Sequence, residues 1–142
     1  IKMYKIEDLI KFIQDETASE NVSPDADLEF DIRITGDDYF ELMEKYSKQF
    51  HVNLDGFLWY FHCDEEASQG IGGLLFSSPR KHVNHIPVTP KVLLEYANKG
   101  FWDMKYPDHK LPKFRYDLII NQILMFLFLL LIFFFCYKKW MK

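Results

Sequence analysis

Residues 123–135 read ILMFLFLLLIFFF, a run of 13 apolar side chains. Extended to residues 118–137, the run covers 20 positions and contains only two amide side chains, Asn121 and Gln122. At about 1.5 Å of rise per residue, a helix of that length reaches about 30 Å, the thickness of the hydrocarbon core of a bilayer. The run has no polar face, which a core helix of a small soluble domain requires. We therefore predict a single transmembrane helix over residues 118–137.

Aromatic and basic side chains flank this run. Tyr116 precedes it, and Tyr137 and Trp140 close it, as expected for aromatic residues at the two membrane surfaces. Residues 138–142 form a short basic tail. This arrangement of flanking residues supports the membrane interpretation.

Residues 104–117 contain Pro107 and Pro112, which prevent a long helix, so we interpret this segment as a basic, proline-containing juxtamembrane linker. Its cations nearly balance those that follow the apolar run, so the positive-inside rule does not decide orientation. Residues 1–8 lack the apolar core of a signal peptide. We therefore expect a single-pass protein whose N-terminal domain is cytoplasmic.

The charge of the chain is divided sharply between its two parts. Residues 1–103 carry 19 acidic and 10 basic side chains, a net charge of −9, whereas residues 104–142 carry 2 acidic and 7 basic side chains, a net charge of +5. An acidic domain is repelled by phosphates, which argues against nucleic acid as a partner. A basic segment beside an apolar run favours anionic lipid headgroups, so the lipid bilayer is an expected partner.

Three segments of residues 1–103 have helical patterns. Residues 4–14 place apolar side chains on one stripe, and the second segment, which begins at Thr35, buries a similar stripe. The apolar side chains of these two segments are Ile6, Leu9, Ile10, Ile13, Tyr39, Leu42, Met43, Tyr46 and Phe50. The third segment has Thr89 as N-cap, Pro90 at the first helical position and Gly100 as its stop. The pattern predicts an all-α domain of about four helices over residues 1–103.

The second of these segments resembles acyl carrier proteins. The resemblance is carried by residues 36–54, GDDYFELMEKYSKQFHVNL, in which residues 41–42 and 50–52 look like landmarks of that family's second helix. The chain is more closely similar to an uncharacterised enterobacterial family described as acyl-carrier-like, whose members begin this helix with Thr-Gly-Asp-Asp, as in residues 35–38. They share a later Pro-x-Thr…Gly-x-Trp pattern, matched here by Pro87, Thr89, Gly100 and Trp102. The resemblance implies an acyl-carrier-like helical bundle, anchored in a bacterial inner membrane.

The resemblance also implies that the chain lacks the group on which carriers depend. In acyl carrier proteins a serine at the start of the second helix holds a phosphopantetheine arm. Here that position falls on Gly36, or on Asp37 if the alignment shifts by one residue, and neither has a hydroxyl. Thr35 is the nearest hydroxyl, and we assign it to a capping box with Asp37 and Asp38. We therefore predict no phosphopantetheine and no other cofactor.

Other candidate chemistry is weaker. Zinc is one alternative, but the spacing of the four candidate ligands is not that of a common zinc site, so we predict no metal. Those four residues are His62, Cys63, His82 and His85. Residues 70–73, GIGG, lack the Lys and Ser/Thr of a phosphate loop and are expected to form a flexible connection. Cys63 and Cys136 lie on opposite sides of the membrane boundary and cannot plausibly pair. No nucleophile, and hence no catalytic residue, can be assigned.

Two functions remain open. The first is a non-enzymatic interaction module whose acidic second helix docks onto an unknown basic protein partner at the membrane. In the resembling family this helix face contacts partner enzymes, and its counterpart here is Asp37, Asp38, Glu41 and Glu44. The alternative is an accessory of envelope or lipid biosynthesis that binds an acyl chain non-covalently between its helices.

Overall fold

A computed structural model describes residues 3–141. They form five α-helices: α1 (Ile6–Thr17), α2 (Gly36–Phe50), α3 (Ile71–Leu75), α4 (Pro90–Lys99) and α5 (Tyr116–Trp140). Three short 3-10 helices lie between them: Trp59–Phe61, Glu66–Ser68 and Pro79–His82. In this described range the β structure is one isolated parallel bridge between Asn53 and Phe101. The mostly helical fold agrees with the prediction from sequence.

The chain divides into two compact units. Over the described residues, the first unit comprises 3–66 and 83–109 and contains α1, α2 and α4. The second comprises 67–82 and 110–141 and contains α3 and α5.

The core of the first unit is built from the apolar stripes of its three helices. The predicted inner face of α2 is buried in full, and Leu9 and Ile13 of α1 are buried with it. Phe12 of α1 joins them and packs edge-on against Phe50 of α2, with ring centroids 5.4 Å apart. The buried phenol of Tyr46 donates a hydrogen bond of 2.6 Å to the carbonyl oxygen of Leu93, which joins α2 to α4.

The signals that begin and end α4 are confirmed. The hydroxyl of Thr89 accepts a hydrogen bond from the backbone N–H of Val92 at 3.3 Å, and Pro90 is the first helical residue. Gly100 ends the helix in the left-handed conformation, with φ of 83°. α2 ends in the same way at His51, whose φ is 56°.

The second unit contains the long apolar helix α5, which includes all of the predicted span 118–137. Its most apolar window has a mean hydropathy of 2.8, and none of that window is buried within the protein. α5 is therefore long and apolar enough to cross a membrane. The exposure of its side chains argues against the alternative of a buried core helix.

The prediction of a flexible connection at residues 70–73 is wrong. Gly70 caps α3, and both Gly72 and Gly73 are buried within that helix. A Cβ atom on Gly72 would lie 1.9 Å from the carbonyl oxygen of Asp117, so only glycine allows α3 to approach α5 this closely. The glycines serve helix packing rather than flexibility.

Candidate functional site

The resemblance drawn from the sequence predicts the first turn of α2, which Gly36 opens, as the place of a carrier's arm. Gly36 is buried and has φ of 60°, a left-handed conformation that glycine adopts without strain. Its N–H donates a hydrogen bond of 3.1 Å to the carbonyl oxygen of Asp64. A Cβ atom at residue 36 would lie 2.5 Å from Cγ and 2.6 Å from Oε1 of Glu66. A side chain at residue 36 therefore requires the side chain of Glu66 to move.

The assignment of Thr35 to a capping box is wrong. Thr35 occupies the N-cap position, but its side chain makes no capping hydrogen bond. Its hydroxyl instead points to the carbonyl oxygen of Asp64, 3.5 Å away, which also accepts the N–H of Gly36. The loop that contains Asp64 thus competes with the helix end for the hydroxyl. Sequence reasoning could not include this partner because it lies 29 residues further along the chain.

The four predicted docking residues, Asp37, Asp38, Glu41 and Glu44, are all exposed on α2. Two of them are paired within the helix: Glu41 lies 2.8 Å from Lys45, and Glu44 lies 2.5 Å from Lys48. Lys45 also contacts Glu16 of α1 at 2.7 Å, and the two hydrogen-bonded carboxylates raise its pKa. The hydrogen bond from Lys48 lowers the pKa of the Glu44 carboxyl. The helix's own lysines therefore offset half of its acidic face.

Asp37 and Asp38 differ from the other two carboxylates. Among residues 3–141, neither has a cationic side chain within ion-pair distance. Both lie in the first turn of α2, where the helix dipole stabilises negative charge without a cation. The loop over residues 64–66, DEE, reaches the same turn because the carbonyl oxygen of Asp64 accepts the N–H of Gly36. Acidic residues of this loop, which sequence reasoning missed, therefore lie near the start of α2.

A cavity of about 290 Å³ opens between α1 and α2 beside this turn. Five of its nine lining residues are charged: Glu16, Arg33, Asp38, Glu41 and Lys45. An acyl chain requires an apolar wall, because burying charged groups against hydrocarbon is costly. This cavity therefore gives no support to non-covalent acyl binding.

Two of the four residues considered as zinc ligands, His62 and Cys63, lie in the buried interior of the first unit. His62 lies beside the hydroxyl of Tyr106, which accepts hydrogen bonds from the indole N–H of Trp102 at 2.9 Å and the backbone N–H of Leu58 at 3.2 Å. That hydroxyl therefore donates its own proton to Nε2 of His62, 2.8 Å away, and Nδ1–H of His62 donates to the carbonyl oxygen of Ile86 at 2.7 Å. His62 is thus a structural hydrogen-bonding residue.

His85 is also engaged with side chains of its own unit. Its Nε2 lies 2.6 Å from Oδ2 of Asp27, and its Nδ1 lies 3.3 Å from Oε2 of Glu29. Both carboxylates are buried, and each also accepts a backbone N–H, from Val88 and from Asp64 respectively. Among the described residues, no group of three or more His, Cys, Asp or Glu side chains has the geometry of a metal site. The arrangement joins three irregular segments of the chain.

The geometry defines a class: a small helical domain with an acidic helix start, followed by a helix of transmembrane length. Residues 4–104 match the family described as Protein of unknown function (DUF1493). The chain therefore belongs to the DUF1493 family. The matched range covers α1 to α4 and ends before α5. No curated protein and no solved structure matches the chain.

Proposed function

We propose that this protein is a membrane-tethered, non-enzymatic interaction module, acyl-carrier-like in its helix order but without a prosthetic group. Its docking surface is the start of α2, where Asp37 and Asp38 are exposed, with Glu41 and Glu44 extending the same side of the helix. The observation that carries the proposal is the environment of Gly36. At the position that would hold an arm, the side chain of Glu66 occupies the place of a Cβ atom, while the acidic side chains around it remain accessible.

The charges favour a basic partner. Asp37 and Asp38 are stabilised by the helix end rather than by a cation, so their negative charge is available to another molecule. A net charge of −9 over residues 1–103 would steer a basic protein toward the domain, an effect that falls with ionic strength. We infer that the partner presents Lys or Arg to the first two turns of α2.

The membrane anchor α5 determines where the domain binds its partner. We propose that α5 crosses a bacterial inner membrane once and that the N-terminal domain lies in the cytoplasm. A partner bound to the same membrane then meets the domain at a raised effective concentration, so a modest surface affinity is sufficient.

Charge reversal in the full-length protein tests the docking surface. We expect Asp37→Lys/Asp38→Lys to lose the partner that cross-links to the wild-type protein in native membranes, whereas Asp37→Asn/Asp38→Asn weakens this partner's binding less. The matched control is Asp15→Lys/Glu20→Lys, which makes the same change of charge at two exposed positions outside α2.

Mass spectrometry identifies the partner as a protein that cross-links to the wild-type protein and to the control variant but not to Asp37→Lys/Asp38→Lys. The association rate of that purified partner should fall with added salt for the wild-type protein and the control. Equal recovery of the same proteins by both reversals would contradict the proposal. A phosphopantetheine adduct on the intact wild-type protein would contradict it independently.

A further inference from the structure

The short helix α3 presents an apolar surface that the second unit does not cover. Its outward side chains are exposed by 55% at Ile71, 85% at Leu74 and 67% at Leu75. Phe76, which follows the helix, is 41% exposed. An exposed apolar patch of this kind on a folded protein marks a surface that contacts a membrane, a ligand or another protein.

The position of α3 along α5 is fixed by side-chain and backbone contacts. The backbone of Gly72 lies against Asp117, and its N–H donates a hydrogen bond of 2.7 Å to Oδ1 of Asn121. Nδ2 of Asn121 donates to the carbonyl oxygens of Ala67 at 3.2 Å and Gln69 at 2.9 Å. α3 is therefore held against the first two turns of α5.

These contacts place α3 at the edge of the apolar run. Residues 117–121 span about 6 Å of helix, and the predicted membrane span begins at residue 118. Interfacial helices bury their apolar face to about 5–10 Å, at the boundary between headgroups and acyl chains. The exposed face of α3 thus lies at the depth of that boundary if α5 crosses the bilayer.

The neighbouring side chains have the chemistry of a membrane interface. The ring of Phe76 lies 5.5 Å from that of Tyr116, and Tyr116 lies 5.7 Å from Phe114, which forms an aromatic cluster at one end of α5. Lys81 donates a hydrogen bond of 2.9 Å to the carbonyl oxygen of Gly73. Lys113 places its Nζ atom 5.5 Å from the centre of the Phe114 ring, and a cation beside an aromatic cluster favours contact with anionic headgroups.

Several backbone polar groups of residues 67–76 are also satisfied internally. Asn121 binds one N–H and two carbonyl groups, while the N–H groups of Leu74 and Phe76 bond to the carbonyl oxygens of Gly70 and Gly72. Irregular backbone near hydrocarbon is stable only when such groups have partners.

From these observations we infer that residues 70–76 form a second membrane-contacting element, which inserts Ile71, Leu74, Leu75 and Phe76 into the lipid interface beside the start of α5. The occupant of the apolar surface is lipid, because the contacts of Gly72 with Asp117 and Asn121 hold α3 at the edge of the apolar run of α5. This inference rests on the proposed membrane crossing of α5. With this element the protein would contact the membrane at two places, α5 and residues 70–76, instead of through α5 alone.

Depth-dependent fluorescence quenching tests the inference. The full-length Cys136→Ala protein, carrying Leu74→Cys labelled with an environment-sensitive fluorophore, is reconstituted into phosphatidylethanolamine–phosphatidylglycerol vesicles. Leu74 is exposed, so the substitution leaves the packing intact. Spin-labelled lipids placed near the headgroups should quench residue 74 at least about twofold more than spin labels at the chain ends. The Cys136→Ala protein without the residue-74 cysteine measures background labelling, which should be low because its remaining cysteine, Cys63, is buried.

Two control positions separate the inference from the proposed function. Leu130→Cys, in the middle of the apolar run, should be quenched most by spin labels at the chain ends, and Glu20→Cys, exposed in the first unit, by neither. Quenching at residue 130 without quenching at residue 74 would overturn the inference and leave the membrane crossing intact. Absence of quenching at residue 130 would overturn the membrane crossing itself.

Discussion

The side chain of Glu66 fills the space beside Gly36, with its Cγ atom 2.5 Å from the place where a Cβ atom on that glycine would lie. Two separate barriers thus oppose a side chain at residue 36: the left-handed backbone and the neighbouring carboxylate. The first barrier costs about 1–2 kcal/mol for a residue other than glycine. The second depends on how easily Glu66 moves.

We expect Gly36→Ser and Gly36→Ala to lower the free energy of unfolding by about 1–2 kcal/mol or more, measured by denaturant titration of the full-length protein in detergent. In a Glu66→Ala background, Gly36→Ala should cost less, because only the backbone strain remains. An equal cost in both backgrounds would show that Glu66 does not close the position. Gly36→Ser should gain no phosphopantetheine mass when it is incubated with coenzyme A and a carrier-loading transferase.

A second prediction concerns His85. His85→Ala should lower the free energy of unfolding by about 3 kcal/mol, because it leaves the buried carboxylates of Asp27 and Glu29 facing one another without a bridge. The exposed His82 provides the control, since His82→Ala should change the stability by less than about 0.5 kcal/mol. Similar melting curves for the two variants would refute a bridging role.

Two buried tyrosines of α2 should respond differently to the loss of the hydroxyl group. Tyr46→Phe removes the hydrogen bond to Leu93 and should destabilise by about 1–2 kcal/mol. The hydroxyl of Tyr39 is buried and has no hydrogen-bond partner among the described residues, so Tyr39→Phe should be neutral or stabilising by about 1 kcal/mol. Thermal unfolding of the two variants checks the sign, and destabilisation of similar size in both would contradict the assignment.

Burial raises the pKa of both Tyr39 and Tyr46 above that of a free phenol. The unfolded chain loses these protons near pH 10, whereas the folded chain retains them, so the unfolded state gains stability as the pH rises further. The contribution of these two tyrosines to the free energy of unfolding should therefore be constant below about pH 10 and then fall by about 1.4 kcal/mol per pH unit for each of them. Tyr39→Phe/Tyr46→Phe should have a shallower alkaline slope than the wild type, and an unchanged slope would exclude these two groups.

The last prediction uses the two amides of the apolar run. Asn121→Leu makes α5 more apolar but leaves the N–H of Gly72 and the carbonyl groups of Ala67 and Gln69 without their partner. We expect this variant to be cleaved by a nonspecific protease within residues 67–77 faster than the wild type. Gln122→Leu, one residue away, makes the same apolar change at an exposed position and should be cleaved at the wild-type rate. Equal cleavage of the two variants would show that Asn121 does not hold the loop.

Local signals in the sequence predicted the helices well. The Thr89 cap, Pro90 and Gly100 act within one turn of α4, and their effects depend on no distant residue. The buried stripe of α2 and the apolar run of α5 follow from periodicity and length alone. In each of these elements, short-range chemistry and the final packing require the same conformation.

The features that sequence reasoning missed depend on partners far along the chain. The helix of residues 71–75 exists because Gly72 fits against α5, and composition alone favours a loop there. The hydroxyl of Thr35 is drawn away from its helix by the carbonyl group of Asp64, and the same loop brings acidic side chains to the candidate docking surface. Nothing in the local sequence signals either contact.

The hydroxyl of Tyr106 has a consequence for how the first unit resists force. Any pull applied along the chain from residue 110 onward reaches the contact between Tyr60 and His109 first, then the bonds that Tyr106 makes to His62 and Trp102. These bonds break before tension reaches α4, and forced unfolding is governed by the rate at which such contacts open. Traction on the C-terminal segment is thus resisted by the side-chain bonds around this phenol together with the backbone bonds that join Asn53 to Gly100 and Trp102.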